Sequence, residues 1–339
     1  MPLNKRKATA ELADQVKEQV QDEPIIVETK KVQWDKVQIV STGSTLLDLA
    51  ISGGRNYEGG IPGGIILEVS GPAGSGKTAV LAAIAASAQS KNGQVMFLDP
   101  EARFDKQYAE IYGIKLNAED YHRPNTVEEV FEKINNWKPV DESVPNVIVT
   151  DSLAALSTEM EMDDKDAYGM RRAKCFSEGF RKTARIISNN NWIIACSNQQ
   201  RDGQYGAITP GGQAIKYYCS LRISMKQSKK ITKEKDFHGR KVSKELGIES
   251  ECQVIKNSLG DPYGKCIVSI VFQKGIDTVR DELAFFKTSM GETSYNCIDK
   301  NYQSLDKAVE YIEQNGLQLK LKERTIQLWN EIENLFKGK

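Results

Sequence analysis

The sequence predicts an α/β protein with a mostly parallel sheet, and three observations support this. Short apolar runs recur at 64–70 (GIILEVS), 94–99 (QVMFLD), 146–151 (NVIVTD) and 192–198 (WIIACSN). Stretches of helical periodicity lie between them: Val80, Leu81, Ile84, Ala85 and Ala88 share one face, and Phe176, Phe180, Ala184 and Ile187 share another. Runs this apolar read as strands buried on both faces, and intervening helices are the connections that parallel neighbours require. The later runs at 221–225, 252–256 and 265–272 follow one another without long helices, so the sheet is expected to end in antiparallel strands.

Three segments follow in chain order. Residues 1–35 are charge-dense, and Leu12, Val16 and Val20 make only a thin helical stripe. They are expected to form an N-terminal arm for subunit assembly, with a solvated tail as the plainer alternative. Residues 36–274 hold the alternating pattern. Residues 275–339 are expected to form a small α-rich C-terminal domain. Its helices carry Leu305, Ala308, Val309 and Ile312 on one stripe, and Ile326, Trp329, Ile332, Leu335 and Phe336 on the next. The stretch 225–244 reads as a polar loop with eight basic residues against two acidic ones. It is either a solvated face or, if the protein handles DNA, an auxiliary DNA contact.

Composition excludes several classes. The 339 residues balance 46 Lys and Arg against 46 Asp and Glu, which rules out a bulk polycation. Hydrophobic residues at 40% and charged residues at 27% are ordinary for a globular chain. The six cysteines show no CxxC pair and have only two histidines for company, so reduced thiols are expected rather than disulfides or a zinc site. The N-terminus lacks the apolar core of a signal peptide, and no run reaches the ~18 apolar residues that a membrane span needs. A cytoplasmic protein is expected, with no membrane partner.

The chemistry concentrates at one motif. Gly71, Pro72, Ala73, Gly74, Ser75, Gly76, Lys77 and Thr78 fit G-x-x-x-x-G-K-[ST] between a strand and a helix. The glycines let backbone N–H groups wrap phosphates, and the helix N-terminus adds partial positive charge. Lys77 suits the β/γ-phosphate oxygens, and Thr78 can offer its hydroxyl to Mg²⁺. A nucleoside triphosphate is the expected ligand. Asp151, closing the third strand, is the candidate second metal-orienting group, with Ser152 beside it. Asp99 and Glu101 end the second strand, where a carboxylate can activate water. Asn198 and Gln199 end the fourth, where an amide can sense a γ-phosphate.

Taken in order, STGSTLLDLAISGG, GPAGSGKT, FLDPEARFDKQYA, NVIVTDSLAAL, SNQQR and TPGGQAIKYYCSLRI resemble the RecA family of homologous-recombination ATPases, bacterial or phage type, over roughly residues 36–275. The resemblance implies a RecA-like P-loop NTPase core with ATP and Mg²⁺ as ligands. It makes Glu101 the water-positioning carboxylate and Gln199 the residue coupling γ-phosphate to DNA. It gives Asp105 and Tyr108 to adenine, and makes Lys256 a cation reaching a neighbour's ATP. Ser258 stands where the family usually has a second such lysine, and Lys216 and Tyr217 fall at interface positions.

Two DNA-binding loops are implied. One, at 159–174, carries Tyr168, Arg171, Arg172 and Lys174 together with five acids, which keep a solvated loop as its plainer reading. The other, at 200–212, carries Arg201, Tyr205, Gly211 and Gly212, and is several residues shorter than the family's usual loop. The implied activity is a DNA-dependent ATPase that polymerises head-to-tail on single-stranded DNA and pairs it with double-stranded DNA in recombination and repair. The short second loop and Ser258 leave a mediator without full strand exchange as an alternative. A ring-forming motor is another, although 35 N-terminal residues are little for its usual extra domain.

Overall fold

The computed structural model describes residues 39–53, 55–159, 170–203, 206–208 and 212–336. The expected N-terminal arm at 1–35, Tyr168, Tyr205, Gly211 and the side chain of Arg201 lie outside the described residues.

The strands are β1 (Ile65–Gly71), β2 (Val95–Leu98), β3 (Tyr121–His122), β4 (Val147–Thr150), β5 (Ile193–Gln199), β6 (Arg201–Gly203), β7 (Gly206–Ile208), β8 (Leu221–Phe237), β9 (Arg240–Asn257), β10 (Lys265–Val271), β11 (Gly275–Ile276), β12 (Tyr295–Asn296) and β13 (Asn301–Tyr302). The helices are α1 (Thr45–Ser52), α2 (Lys77–Ser90), α3 (Lys106–Tyr112), α4 (Val127–Asn136), α5 (Met170–Asn189), α6 (Gly212–Tyr218), α7 (Thr278–Met290), α8 (Leu305–Gln314) and α9 (Gln318–Phe336).

Nine strands form one sheet in the order β11-β10-β9-β8-β1-β5-β4-β2-β3. From β8 to β3 all neighbours are parallel, and from β8 to β11 all are antiparallel. The change of direction at β8 follows from connection length. A two-residue turn can return a strand only antiparallel, whereas parallel neighbours need a crossover.

Alternation within the strands divides the core in two. Ile65, Leu67 and Val69 of β1 join Val80, Leu81 and Ile84 of α2 on one face. Ile66 joins Phe131 of α4 and Phe176 and Phe180 of α5 on the other. Gly179 lets these helices meet, since a Cβ there would lie 2.1 Å from the Phe131 ring. A third small cluster, Val279, Leu283, Cys297, Ala308, Val309, Ile312 and Leu321, holds α7, α8 and α9 together.

Three sequence expectations need correction. The polar loop at 225–244 is the outer part of the β8–β9 hairpin; cross-strand hydrogen bonds satisfy its backbone, so it needs no buried face to be a strand. Arg171, Arg172 and Lys174 stand in the first turns of α5, not in a loop. Part of the second expected loop is a short antiparallel hairpin, β6 with β7, and Gly212 already begins α6. The last apolar stripe is also only partly used. Ile326 is buried, but Leu335 and Phe336 are exposed. All six cysteines are free thiols, four of them buried. Among the described residues no helix is long and apolar enough to cross a membrane.

Candidate nucleotide site

The phosphate loop links β1 to α2. β1 is buried along its whole length, which fixes where the loop begins. Gly71 must be glycine because a Cβ there would lie 2.1 Å from the Met225 carbonyl of β8. Gly76 has φ of +87°, and a Cβ would strike Ile270. The loop is therefore pressed against the antiparallel half of the sheet. α2 begins at Lys77, so its unpaired N–H groups and positive dipole end open onto the loop.

The polar groups converge tightly. Lys77 Nζ donates to the Gly71 and Pro72 carbonyls at 3.0 and 2.8 Å, lying over the loop. Burial lowers its pKa from the ordinary lysine value, while Asp151 and Glu101 pull it back up. Thr78 Oγ1 donates to Asp151 Oδ2 at 2.6 Å, and Ser197 Oγ donates to Asp151 Oδ1. Burial raises the Asp151 pKa above the usual carboxylate value, against those two hydrogen bonds. Ser152 Oγ donates to Glu101 Oε1 at 2.6 Å, and Arg103 sits 2.8 Å from the other Glu101 oxygen. Lys77, Thr78, Glu101, Arg103 and Asp151 line a cavity of about 490 Å³. Its apolar wall comes from Phe104, Tyr108, Tyr112, Ile248, Ile270 and Phe272.

The other expected residues divide between the cavity and positions away from it. Asp99 also lines the cavity; it is buried and accepts from Phe104 N at 2.8 Å and Tyr121 Oη at 2.7 Å, so it shapes the 99–104 turn as well. Asp105 caps α3 by accepting from Tyr108 N at 2.7 Å and is not among the residues lining the cavity. Tyr108 does line it, edge-on to Phe104 and beside Tyr112, and burial raises its phenol pKa. Asn198 donates to Glu68 Oε1 at 2.9 Å, and Arg222 Nε donates to Glu68 Oε2 at 2.6 Å, so Asn198 is committed to a buried ionic cluster beneath the site. Gln199 pairs in register with Gly71 at the strand edge. Lys256 Nζ donates to the carbonyls of Lys216 and Tyr217 at 3.0 and 2.9 Å, outside the lining of this cavity. Arg172 donates to the Leu156 carbonyl at 3.1 Å, and Lys174 lies 3.9 Å from Glu178.

Sequence reasoning missed Arg103, Ser197 and, Tyr108 apart, the apolar wall. Arg103 stands two residues past Glu101, and the left-handed φ of +52° at Ala102 turns the chain between them. Ser197, Ile248, Ile270 and Phe272 are brought in by other strands of the sheet, so nothing near the motif announces them.

The Thr78 hydroxyl and the Asp151 carboxylate are hard oxygen donors adjacent to the cradle, a set that suits Mg²⁺ once phosphate oxygens complete its shell. Among the described residues no cluster of three or more His, Cys, Asp or Glu side chains could hold a metal ion by itself. The arrangement can bind a triphosphate, neutralise its charge and present a carboxylate to water.

This fold and this cradle define a P-loop nucleoside triphosphatase. The sequence matches the RecA N-terminal domain family over residues 7–277, and the chain belongs to the RecA family. It is 34% identical over 257 residues to Protein RecA of Ruminococcus albus, covering 73% of this chain and 60% of that one. It is 31% identical over 294 residues to Protein RecA of Streptococcus sanguinis, covering 82% and 73%. A Mesomycoplasma hyopneumoniae Protein RecA is 30% identical over 285 residues, covering 81% and 79%. The chain thus spans three-fifths of the first relative's length and about three-quarters of the other two.

Proposed function

We propose that this chain is an ATP-dependent recombinase that polymerises on single-stranded DNA and promotes homologous pairing and strand exchange in the cytoplasm. The observation that carries this reading is the continuity of β5. Gln199 lies in register with Gly71 of the phosphate loop, and the same backbone runs on directly into the β6–β7 hairpin. On this reading a residue beside the γ-phosphate and a DNA-facing segment are one piece of chain.

Within the site, Lys77 and the loop N–H groups hold the triphosphate, and Glu101 orients the attacking water. Thr78 and Asp151 hold Mg²⁺, which when bound supplies positive charge to the phosphate oxygens. Tyr108 offers a face for the base, with Asp105 at the same helix start. Lys256, lying outside the lining of its own cavity, serves the ATP of the next subunit, with Lys216 and the exposed Tyr217 at the same junction. Such a head-to-tail contact generates an open filament. Arg171, Arg172 and Lys174, with Tyr168, give one DNA contact, and Arg201, Tyr205, Gly211 and Gly212 give the other. All six cysteines being free accords with a reducing compartment.

Negative-stain imaging with single-stranded DNA and a slowly hydrolysed ATP analogue tests the reading. Helical filaments are expected. Closed rings or dispersed subunits under saturating analogue would overturn it.

A further inference from the structure

The hairpin of β8 and β9 extends well beyond the sheet that anchors it. β1 pairs with β8 only from Leu221 to Ser224, and β10 pairs with β9 only from Gly247 to Gln253. Beyond Lys230 on one strand and Leu246 on the other, the two strands pair only with each other. Seven residues of β8 and six of β9 make a free ribbon on the order of 20 Å long. It turns at His238 and Gly239, whose φ values of +53° and +76° fit the two-residue turn that matches hairpin twist.

Register sorts the ribbon's side chains. Lys233 faces Lys244, Lys235 faces Val242, and Phe237 faces Arg240. Alternate residues share a face, so these six stand together. The opposite face carries Thr232 with Glu245, Glu234 with Ser243, and Asp236 with Lys241. One face thus has four cations and no acid, and the other has three acids and one cation. The acidic face neutralises itself further: Lys230 lies 2.7 Å from Glu245, and Lys241 lies 3.9 Å from Glu234. Among the described residues, no ion pair involves Lys233, Lys235, Arg240 or Lys244.

The sorting costs stability. Two lysines directly opposite one another repel. Phe237 and Val242 are 64% and 51% exposed on the same face. Lysines placed only to keep a strand edge soluble need no such segregation. A cationic face with an aromatic at its end fits a polyanion.

We infer that this face of the ribbon binds duplex DNA through its phosphates, with Phe237 pressed against the groove wall. The inference rests on the DNA-binding reading above and adds a site that the expected loops do not supply. Duplex is favoured over single strand on two grounds. Single strands are held by series of stacking aromatics, and this face has one. Over the ~14 Å from the first rung to the third, a duplex presents about eight phosphate charges, twice as many as one strand. A two-stranded ribbon also fits the major groove.

The test measures binding of a labelled 20-base-pair duplex to the full chain between 50 and 200 mM salt. In K233S/K235S/R240S/K244S the slope of log affinity against log salt is expected to become shallower by about three to four. The opposite-face control K230S/K241S is expected to leave the slope unchanged. Phe237→Ala should weaken binding without changing the slope, and K233R/K235R/K244R should keep wild-type binding, which excludes misfolding. ATP turnover on single-stranded DNA should be unaffected throughout. An unchanged slope in the quadruple variant, or an equal loss in the control, overturns the inference. So does a change confined to self-association, which would make a second copy the occupant. A wild-type chain that binds single strands but no duplex sinks the ribbon site alone, whereas one that binds neither sinks the DNA reading with it.

Discussion

The base and the tip of the β8–β9 hairpin are built from the same two strands with the same alternation, yet they obey opposite rules. At the base, Leu221, Ile223, Met225, Cys252 and Val254 are fully buried, and Ser250 donates to the Ser75 carbonyl of the phosphate loop. Arg222 is committed to Glu68. At the tip, pairing continues with no covering layer, and charge instead of burial distinguishes the faces. The backbone ladder suffices to make a strand, but only a neighbouring element decides what its side chains are for.

The predictions test that contrast, beginning with the largest effect. Lys77→Ala, beside the base, should reduce ATP turnover by roughly 10²–10³-fold in a phosphate-release assay. The tip variants should leave turnover at wild type, and a matching loss there would erase the distinction. Glu68→Ala should destabilise by about 3–5 kcal/mol in urea unfolding, because it strands the largely buried Arg222 guanidinium, 11% exposed. A loss below 1 kcal/mol would mean that the base is no more constrained than the tip.

The pH dependence of stability probes the layer behind the base. Asp281 is buried and accepts from Ser269 N of β10 at 2.9 Å. Burial pushes its pKa up to about 8, against the pull of those Ser269 hydrogen bonds. The folded chain then holds this proton more tightly than the unfolded chain does, so stability should fall as pH rises from about 4 through 8. Asp281→Asn should flatten that decline in thermal melts at pH 5 and pH 8. An identical decline would assign it to other groups.

The tip should respond weakly. Gly239→Ala forces a side chain into a left-handed turn and should cost about 1 kcal/mol. Lys244→Ser should change unfolding free energy by no more than about 0.5 kcal/mol, in the stabilising direction, because it relieves the repulsion from Lys233.

The sequence made the buried half of the molecule readable. β1, β2, β4 and β5 fall within a residue of their apolar runs because both faces of these strands are covered. The outer ribbon has no covered face, so it offers no hydrophobic period and reads as a loop. α7 went unread because Val279, Leu283 and Phe286 are spread thinly among charged residues, and their partners arrive from α8 and α9. The phosphate cradle was legible because its eight residues are contiguous. Its surroundings were not: Ser197, Arg103 and the wall at Ile248, Ile270 and Phe272 reach the site only through the sheet order and a turn. Asn198 shows the limit of position alone, since its strand-end place suggested a sensor while its side chain bonds Glu68.

The Glu68, Asn198 and Arg222 cluster also constrains how this chain can change by descent. The three residues lie on β1, β5 and β8, three consecutive strands of the sheet. Removing any one leaves a charge or an amide without its partner in the interior, while replacing all three by packed apolar groups can be neutral. Single-step mutational paths between those two solutions therefore pass through a poorly folding intermediate. The strands bearing the phosphate loop, Gln199 and the β8–β9 ribbon are bound to one inheritance.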